Sequence, residues 1–323
     1  AKYEISGPGA EDYLSYLMTN TMPKLGRIVL SPMLNERGKL IGDFTIAKAE
    51  EERFMVWGSS GAQIYHMRWF EQHLPADGSV RIERIGQRLV GLTVAGPKAR
   101  EVMAPLVTGD ISRTAFKFMD YREVDVAGCP CKVNRISYTG DLGYEIWMEP
   151  CYERAVYMAL KESGAAHGIR DFGMRALLSM RLEKNFPTWG HAAGPALRRV
   201  SLMIDAGTAD VMADEPIWGK VGDRALPHIS APHGGGSPRF APDGREVPRA
   251  PSQSDGDWRV SGWVTSGGYA HGVAASMAQG YIPADLSERD ETGLFQVEIL
   301  GDRRPARLAV EPPFDPTGAR MRA

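Results

Sequence analysis

Alternating apolar and polar residues run through the first part of the chain and predict three antiparallel strands. Residues 26–34 and 39–47 flank an Asn-Glu-Arg-Gly turn, and residues 53–57 follow a turn of three glutamates. Side chains in such strands point to opposite faces in turn, so each strand can bury one face. A helix is predicted over 62–72, and together these elements indicate an antiparallel sheet with a helix.

A strand, a Gly-Pro pair and a helix follow one another twice, at residues 3–14 and again at 92–103. Proline suits the first turn of a helix, because the N–H that it lacks would have no partner there. The two copies lie about 90 residues apart and are too few for a solenoid, which needs at least about three repeats. They predict two related subdomains, at 1–90 and 91–194.

The character of the sequence changes at Pro195, where a strand begins a third predicted domain, 195–323. Residues 206–257 are rich in Gly, Pro, Asp and Ser and predict a long irregular insertion. Short strands separated by Gly turns then predict a small C-terminal β-barrel; they lie at 258–269, 275–282, 295–300 and 307–310. The predicted fold class is therefore α+β, with two antiparallel-sheet-plus-helix subdomains followed by a barrel.

Residues 135–149 alternate on both sides of a Thr-Gly-Asp-Leu-Gly turn and predict a β-hairpin. Its first arm is expected to end at Tyr138, and its second to begin at Tyr144 and Glu145. A tyrosine ring can stack on a flat heterocycle, and a carboxylate can accept two hydrogen bonds from an amino-pyrimidinone edge. Tyr138 and Glu145 therefore indicate one side of a binding site for such a heterocycle. An ordinary surface hairpin is the open alternative.

Asp43 is an acid in a strand otherwise suited to burial, flanked by Ile41, Phe44 and Ile46. Buried carboxylates are rare unless they are paired, because desolvating the charge costs several kcal/mol. Asp43 is therefore a candidate functional residue. The alternative is that strand alternation simply turns it to solvent.

Two helices follow the hairpin, one over about 152–164 and one beginning near Asp171. The second helix has an apolar stripe, with Arg181 and Glu183 on its other faces. A solvated charged face is the common explanation for such residues. Pro187 and Gly190, on either side of Trp189, end this helical stretch.

Composition and charge narrow the function classes. The 323 residues contain 38 Lys and Arg against 40 Asp and Glu, and the net charge of −2 gives no global attraction for nucleic acid or an anionic membrane. The sequence contains no run of about 18 apolar residues, so no transmembrane helix is predicted. The 3 cysteines lack further ligands at metal spacing, so no metal site is predicted, and sparse thiols suit a reducing compartment. The chain starts without Met in an apparent strand, which indicates a processed chain or an excised piece.

Five sequence motifs follow one another along the chain: 33–38 leading to Asp43, 137–145, 181–184, 262–269, and 304–306 before 313–316. Each motif alone is weak, but together they span nearly the whole chain. In this order they resemble the aminomethyltransferase (glycine-cleavage T-protein) superfamily. Within it, the chain is most similar to the tetrahydrofolate-binding C-terminal half of dimethylglycine and sarcosine dehydrogenases.

The resemblance implies that the two subdomains and the barrel surround a central folate channel. Asp43 would be the acidic residue beside the folate N5 and N10 atoms. Tyr138 and Glu145 would hold the pterin ring, with Glu145 on its amino-pyrimidinone edge. The remaining expected folate contacts, near the central funnel, are Arg181, Glu183 and Trp189.

By the same resemblance, the chain would transfer a methyl or methylene group from an N-methylated amine, such as dimethylglycine or sarcosine, to tetrahydrofolate. The product would be 5,10-methylenetetrahydrofolate. No G-x-G-x-x-G opens a nucleotide-binding unit, so FAD is expected on a partner oxidoreductase domain or subunit and not on this chain. The expected location is the cytoplasm, or the mitochondrial matrix if the source is eukaryotic.

One departure from the family pattern follows Trp189. The dehydrogenase relatives continue into a Phe-Ile-Gly-containing helix that lines the folate channel, whereas here residues 191–195 lead almost directly into the third domain. This departure leaves open a non-catalytic scaffold with a damaged folate channel. A folate-dependent O- or S-demethylase is a second open alternative, because relatives with those activities share this architecture and no feature of the sequence decides the methyl donor.

Overall fold

The computed structural model describes residues 1–187, 197–204, 228–232, 258–287, 295–299 and 302–323. These residues fall into two compact units. The N-terminal unit comprises Ala1–Gly173 together with Thr317–Ala323, and the second unit comprises Met174–Pro187 with the described residues up to Pro316. Among the residues described, no helix combines the length and apolar character needed to cross a membrane.

Five strands and two helices build the first half of the N-terminal unit. They are β1 (Lys2–Ser6), α1 (Ala10–Leu17), β2 (Ile28–Leu34), β3 (Leu40–Glu50), β4 (Arg53–Gly58), α2 (Gln63–Gln72) and β5 (Arg81–Arg84). The strands form one sheet in the order β2-β3-β4-β1-β5, and every pairing in it is antiparallel. The three predicted strands and the predicted helix are confirmed, because their alternation matches the faces that the sheet buries.

Four strands and two helices build the second half of this unit. They are β6 (Val90–Ala95), α3 (Ala99–Met103), β7 (Tyr121–Val126), β8 (Cys129–Asn134), β9 (Gly143–Met148) and α4 (Pro150–Gly164). The sheet is antiparallel in the order β6-β9-β8-β7. The two Gly-Pro units have the same backbone bond at their helix starts: Ala10 N–H to Gly7 O and Ala99 N–H to Gly96 O, each at 3.0 Å.

The two sheets of the N-terminal unit are stacked between helices. Phe44 and Ile46 of β3 pack against α1 and α2, and Tyr144 and Ile146 of β9 pack against α3 and α4. The opposite sheet faces share a third apolar cluster; its buried members are Ile28, Ala47, Met55, Trp57, Leu89, Tyr121 and Ile136. The order of layers is therefore helix, sheet, sheet, helix, with an apolar layer between the sheets.

The second unit contains α5 (Met174–Glu183), β10 (Leu197–Ile204), β11 (His228–Pro232), β12 (Trp258–Ala270), β13 (Ala275–Pro283), β14 (Phe295–Ile299) and β15 (Asp302–Ala309). The strands form a closed barrel in the order β10-β13-β12-β11-β14-β15. The predicted α+β class with a C-terminal barrel is confirmed. The last helix, α6 (Ala319–Arg322), belongs to the N-terminal unit.

One strand differs from the expectation for residues 206–257. β11 lies inside this stretch and pairs with β12 and β14. A segment of five residues without alternation gives no local strand signal, and its barrel neighbours supply the pairing. The rest of the predicted insertion, at 206–227 and 233–257, lies outside the described residues.

Candidate functional site

β3 turns Asp43 away from the helices. Phe44 and Ile46 point to the helical face of the sheet, and Ala47 belongs to the apolar layer between the sheets. Strand alternation therefore places Asp43 on the inter-sheet side. Its side chain is exposed to solvent. Even so, desolvation raises the pKa of the Asp43 carboxyl, and a hydrogen bond from the Phe44 N–H acts in the opposite direction. The Asp43 carboxyl is therefore reached by solvent and still partly desolvated by the protein atoms around it.

The backbone below Asp43 is tightly packed. A Cβ on Gly42 would lie 2.5 Å from the Phe44 ring and 2.9 Å from His66 Nε2, and a Cβ on Gly58 would lie 2.7 Å from the same ring. The Phe44 and His66 rings have their centroids 4.7 Å apart. Burial lowers the pKa of His66 to about 4, so this histidine is neutral near pH 7. The two glycines let the Phe44 ring lie against the strands, and this packing holds β3 in place next to Asp43.

β9 presents Glu145 on its inter-sheet face. Tyr144 and Ile146 are buried towards the helices, so Glu145 and Trp147 point the other way. Glu145 is half-buried, and desolvation raises the pKa of its carboxyl. Asn134 Nδ2 donates to Glu145 Oε2 at 3.3 Å and lowers that pKa. The Trp147 indole N–H acts in the same direction, although its geometry falls short of a regular hydrogen bond.

The structure thus turns both predicted carboxylates towards the layer between the two sheets of the N-terminal unit. The Trp57 and Trp147 rings meet in this layer, with centroids 5.9 Å apart. Asp43 and Glu145 share two properties, partial solvent access and a pKa raised by desolvation. Such carboxylates can hold a proton at a higher pH than ordinary acids, or accept hydrogen bonds strongly from a ligand that completes their desolvation.

The hairpin is present, but its first arm is shorter than predicted. β8 ends at Asn134, which pairs with Glu145. The prediction that the strand continues from Arg135 to Tyr138 is wrong, because the Arg135 side chain turns into the protein. Arg135 is 1% exposed, and its guanidinium donates to Gly143 O at 3.3 Å and to Ala323 O at 2.9 Å. The second arm is confirmed as β9.

Residues 135–142 form the connecting loop. The Ser137 hydroxyl donates to Asp141 O at 2.7 Å and contacts the Thr139 hydroxyl at 2.9 Å. Such bonds from side chains to the backbone replace the ladder bonds of a strand. Tyr138 lies half-buried in this loop, four positions beyond the end of β8 and not on its arm.

Arg181 and Glu183 lie in the second unit, on α5, so the described residues do not join them to Asp43 and Glu145 within one unit. A solvated charged face is the wrong explanation for them, because they are 2% and 3% exposed. Arg181 Nη1 donates to Gln279 Oε1 at 2.6 Å, and Glu183 Oε1 accepts from the Gly272 N–H at 2.8 Å. Both side chains therefore anchor α5 to the barrel. Trp189 lies outside the described residues.

Sequence reasoning missed Asn134 and Trp147. Both lie on the inter-sheet face beside Glu145, and both have a buried polar atom without a hydrogen-bond partner in the part of the chain that is described: Asn134 Oδ1 and Trp147 Nε1. Trp147 follows Glu145 by two residues, so strand alternation was the signal that could have found it. No local signal marks Asn134, because its position depends on the register between β8 and β9.

Comparison with known proteins gives a consistent result. The model of the GCVT N-terminal domain matches residues 1–203, and the model of the glycine cleavage T-protein C-terminal barrel domain matches residues 198–315. The crystal structure of glycine cleavage system aminomethyltransferase T from Bartonella henselae superposes with a TM-score of 0.71 at 20% identity, covering 98% of this chain and 84% of that one. At this identity the likeness shows the shared fold.

Two curated relatives are of different lengths. Mitochondrial dimethylglycine dehydrogenase of Rattus norvegicus is 31% identical over 99% of this chain, and the match covers 37% of that protein. Aminomethyltransferase of Streptomyces avermitilis is 27% identical over 95% of this chain and 82% of that protein. The chain thus spans little more than a third of the length of the dehydrogenase.

Proposed function

The chain belongs to the glycine-cleavage T-protein family, and from that membership we propose that it transfers one-carbon units to tetrahydrofolate. Membership confirms the resemblance inferred from the five motifs. The donor we propose is an N-methylated amine of the dimethylglycine or sarcosine kind, and the product is 5,10-methylenetetrahydrofolate. The relatives named dimethylglycine dehydrogenase support this donor class.

The observation that carries the proposal is the pair of desolvated carboxylates, Asp43 and Glu145. They lie on two different sheets of one unit and face the layer between them. Each keeps partial solvent access, and desolvation raises the pKa of each. Retaining two such charges costs stability, and this cost is typical of residues that serve a ligand.

The residues present fit a reduced pterin. Glu145 offers carboxylate oxygens to the N–H donors of an amino-pyrimidinone edge, and Asn134 leaves a buried acceptor, Oδ1, beside it. We assign Tyr138, half-buried in the loop 135–142, to the flat face of the ring. Tetrahydrofolate, when bound, would supply a nucleophilic nitrogen that takes up the one-carbon unit of an iminium, and the donor nitrogen would leave as the demethylated amine.

The role that we assign to Asp43 is to orient and stabilise the reacting nitrogen. Its carboxylate accepts a hydrogen bond from an N–H and stabilises positive charge that develops on nitrogen. The raised pKa also lets its oxygen hold a proton at a higher pH than an ordinary aspartate can. Partial desolvation strengthens each of these interactions, because the effective dielectric constant around a partly desolvated group is lower than in bulk water.

Arg181, Glu183 and Trp189 remain proposed folate contacts. The burial of Arg181 and Glu183 favours a structural contribution, since their polar atoms already bind the barrel. The iminium would come from an FAD-containing oxidoreductase domain or subunit. The dehydrogenase relative, with more than half of its length outside the match, supports such a partner.

Calorimetric titration with tetrahydrofolate tests the proposal. We expect binding by the parent protein and about 10- to 100-fold weaker binding by Glu145→Gln, because a hydrogen bond to a charged acceptor contributes roughly 1.5–3 kcal/mol. The matched control is Glu149→Gln, an exposed acid just beyond the same strand, which should bind like the parent. Absence of binding at high micromolar concentration would refute the proposal.

The role of Asp43 has its own test. Asp43→Asn keeps the shape of the side chain but cannot carry the negative charge or take up a proton. We expect tetrahydrofolate binding within about tenfold of the parent and a rate of methylenetetrahydrofolate formation lower by about 10²–10⁴. If Asp43→Asn forms the product at the parent rate, the role assigned to Asp43 is wrong even if folate binds.

A further inference from the structure

Asn134 is the last residue of β8 and lies directly opposite Glu145 of β9. Its side chain is fully buried, at 0% exposure. Cys131 and Val133 point from the same strand to the helical side, so alternation turns Asn134 to the inter-sheet side that Glu145 occupies. The contact is a single hydrogen bond, from Asn134 Nδ2 to Glu145 Oε2 at 3.3 Å.

This bond determines which way the amide points. An ionised carboxylate only accepts hydrogen bonds, so the NH₂ end of Asn134 must face Glu145. The amide oxygen then points away, and it is a buried atom with no hydrogen-bond partner among the described residues. Leaving a buried acceptor unsatisfied is costly, and such an atom in a folded protein calls for an explanation.

We propose that Asn134 is a positioning residue that holds the Glu145 carboxylate in its ligand-binding orientation and offers its own Oδ1 as a further acceptor to the ligand. The two side chains then present a row of acceptors, Glu145 oxygens followed by the Asn134 amide oxygen. A ligand edge with adjacent N–H donors matches such a row. The inference rests on the proposed function, since the pterin edge is the donor-rich ligand that we assign to Glu145.

The charged groups near Glu145 do not obscure the effect of Asn134 on the Glu145 pKa. On the same sheet face Lys132 and Glu123 form an ion pair at 3.1 Å. From the facing sheet, Lys2 lies over the Trp147 ring, 5.6 Å from its centroid. None of these charges is among the causes of the shift at Glu145, which are desolvation, Asn134 and Trp147. The Asn134 N–H is thus the larger of the two groups that favour the ionised form.

The ligand-free protein provides the first test. Carbon-13 NMR titration of the Glu145 side chain, assigned by its loss in Glu145→Gln, reports the pKa directly. We expect the Glu145 pKa to rise in Asn134→Leu, because the N–H that favours the carboxylate is gone. The matched control is Thr93→Val, since Thr93 pairs with Glu145 from the other neighbouring strand. Equal pKa values in Asn134→Leu and the parent would overturn the inference.

Asn134→Asp is the second variant, for the case that Leu prevents folding. It keeps the shape and the acceptor but replaces the N–H with a second carboxylate. Two adjacent carboxylates share a proton, so the higher of the pair's two apparent pKa values should lie above the Glu145 pKa in Asn134→Leu. If the Asp variant also titrates like the parent, Asn134 does not control the carboxylate.

Binding provides a readout that distinguishes the two proposals. In the parent, protonation of Glu145 should weaken tetrahydrofolate binding, so the affinity should fall as the pH is lowered. This acid limb of the affinity–pH profile should move to higher pH in Asn134→Leu. At neutral pH we expect about tenfold weaker binding, the effect of one hydrogen bond. In a Glu145→Gln background the limb should be absent and the shift with it. If the parent itself does not bind, the proposed function is wrong; if it binds and the limb does not move, only the inference about Asn134 is wrong.

Discussion

Replacing Gly42 with alanine tests whether close packing beneath β3 holds the strand that carries Asp43. Gly42 directly precedes Asp43 and lies under the Phe44 ring. A Cβ at position 42 would be 2.5 and 2.6 Å from two ring carbons of Phe44 and 2.9 Å from His66 Nε2. Non-bonded carbons are normally about 3.5–4.0 Å apart, so the overlap to be relieved is about 1 Å.

The Phe44 ring has little room to move away from a new Cβ, and this determines how much stability Gly42→Ala loses. Phe44 is 1% exposed and touches both His66 and Phe70, with centroids at 4.7 and 5.8 Å. Overpacking of this kind costs about 1–3 kcal/mol. For a unit of this size, each kcal/mol corresponds to roughly 2–4 °C, so Gly42→Ala should lower the melting temperature by roughly 2–12 °C.

Differential scanning calorimetry measures this change. Gly61→Ala is the control, because a Cβ there meets nothing within 4 Å and should leave the melting temperature nearly unchanged. In Gly42→Ala/Phe44→Leu the smaller side chain should recover part of the loss beyond additivity. Equal melting of Gly42→Ala and Gly61→Ala would refute the packing argument, and so would strict additivity of the double variant.

Two further predictions concern charged groups. Because the folded-state pKa of Asp43 is raised, the parent should lose stability as pH rises from the unfolded-state pKa, about 4, through the folded value. Asp43→Asn should therefore have a higher melting temperature than the parent at neutral pH and the same melting temperature at acidic pH. The control Asp77→Asn should not melt higher, because hydrogen bonds lower the Asp77 pKa. If Asp43→Asn and the parent melt at the same temperature at all pH values, the prediction is wrong. Arg181→Met should destabilise the second unit by about 2–4 kcal/mol in denaturant titrations, since the buried Gln279 oxygen loses its charged donor. The control Arg307→Met changes an exposed side chain and should alter the stability little. Similar losses of stability in the two variants would mean that Arg181 does not anchor α5.

Local sequence patterns predicted much of the fold correctly. Alternation identified β3, β4 and β9 because each buries one face of a sheet, and the two Gly-Pro pairs marked the starts of α1 and α3. Asp43 stood out as an acid in a strand otherwise suited to burial, and Glu145 as a carboxylate near the hairpin turn together with Tyr138. These signals are readable in the sequence because they depend on neighbours within a few positions.

The errors concern side chains whose partners are distant in the chain. Arg135 appeared to continue a strand, but its partner Ala323 O is 188 residues away. Arg181 appeared to be a surface charge, and its partner Gln279 is 98 residues away. No local pattern contains such information, because the burial of a charged group depends on atoms that the fold brings to it.

The sequence by itself determined the strand faces, the barrel strands except β11 and the first part of β15, and the two acids, since these follow from local alternation and residue type. Only the tertiary structure decided that Asp43 and Glu145 face the same inter-sheet layer, that their pKa values are raised, and that Asn134 donates to Glu145. The physical reason is that desolvation and hydrogen bonding arise from atoms across a sheet or on a facing sheet. Their positions are fixed by strand register and sheet packing and not by the residues next in sequence.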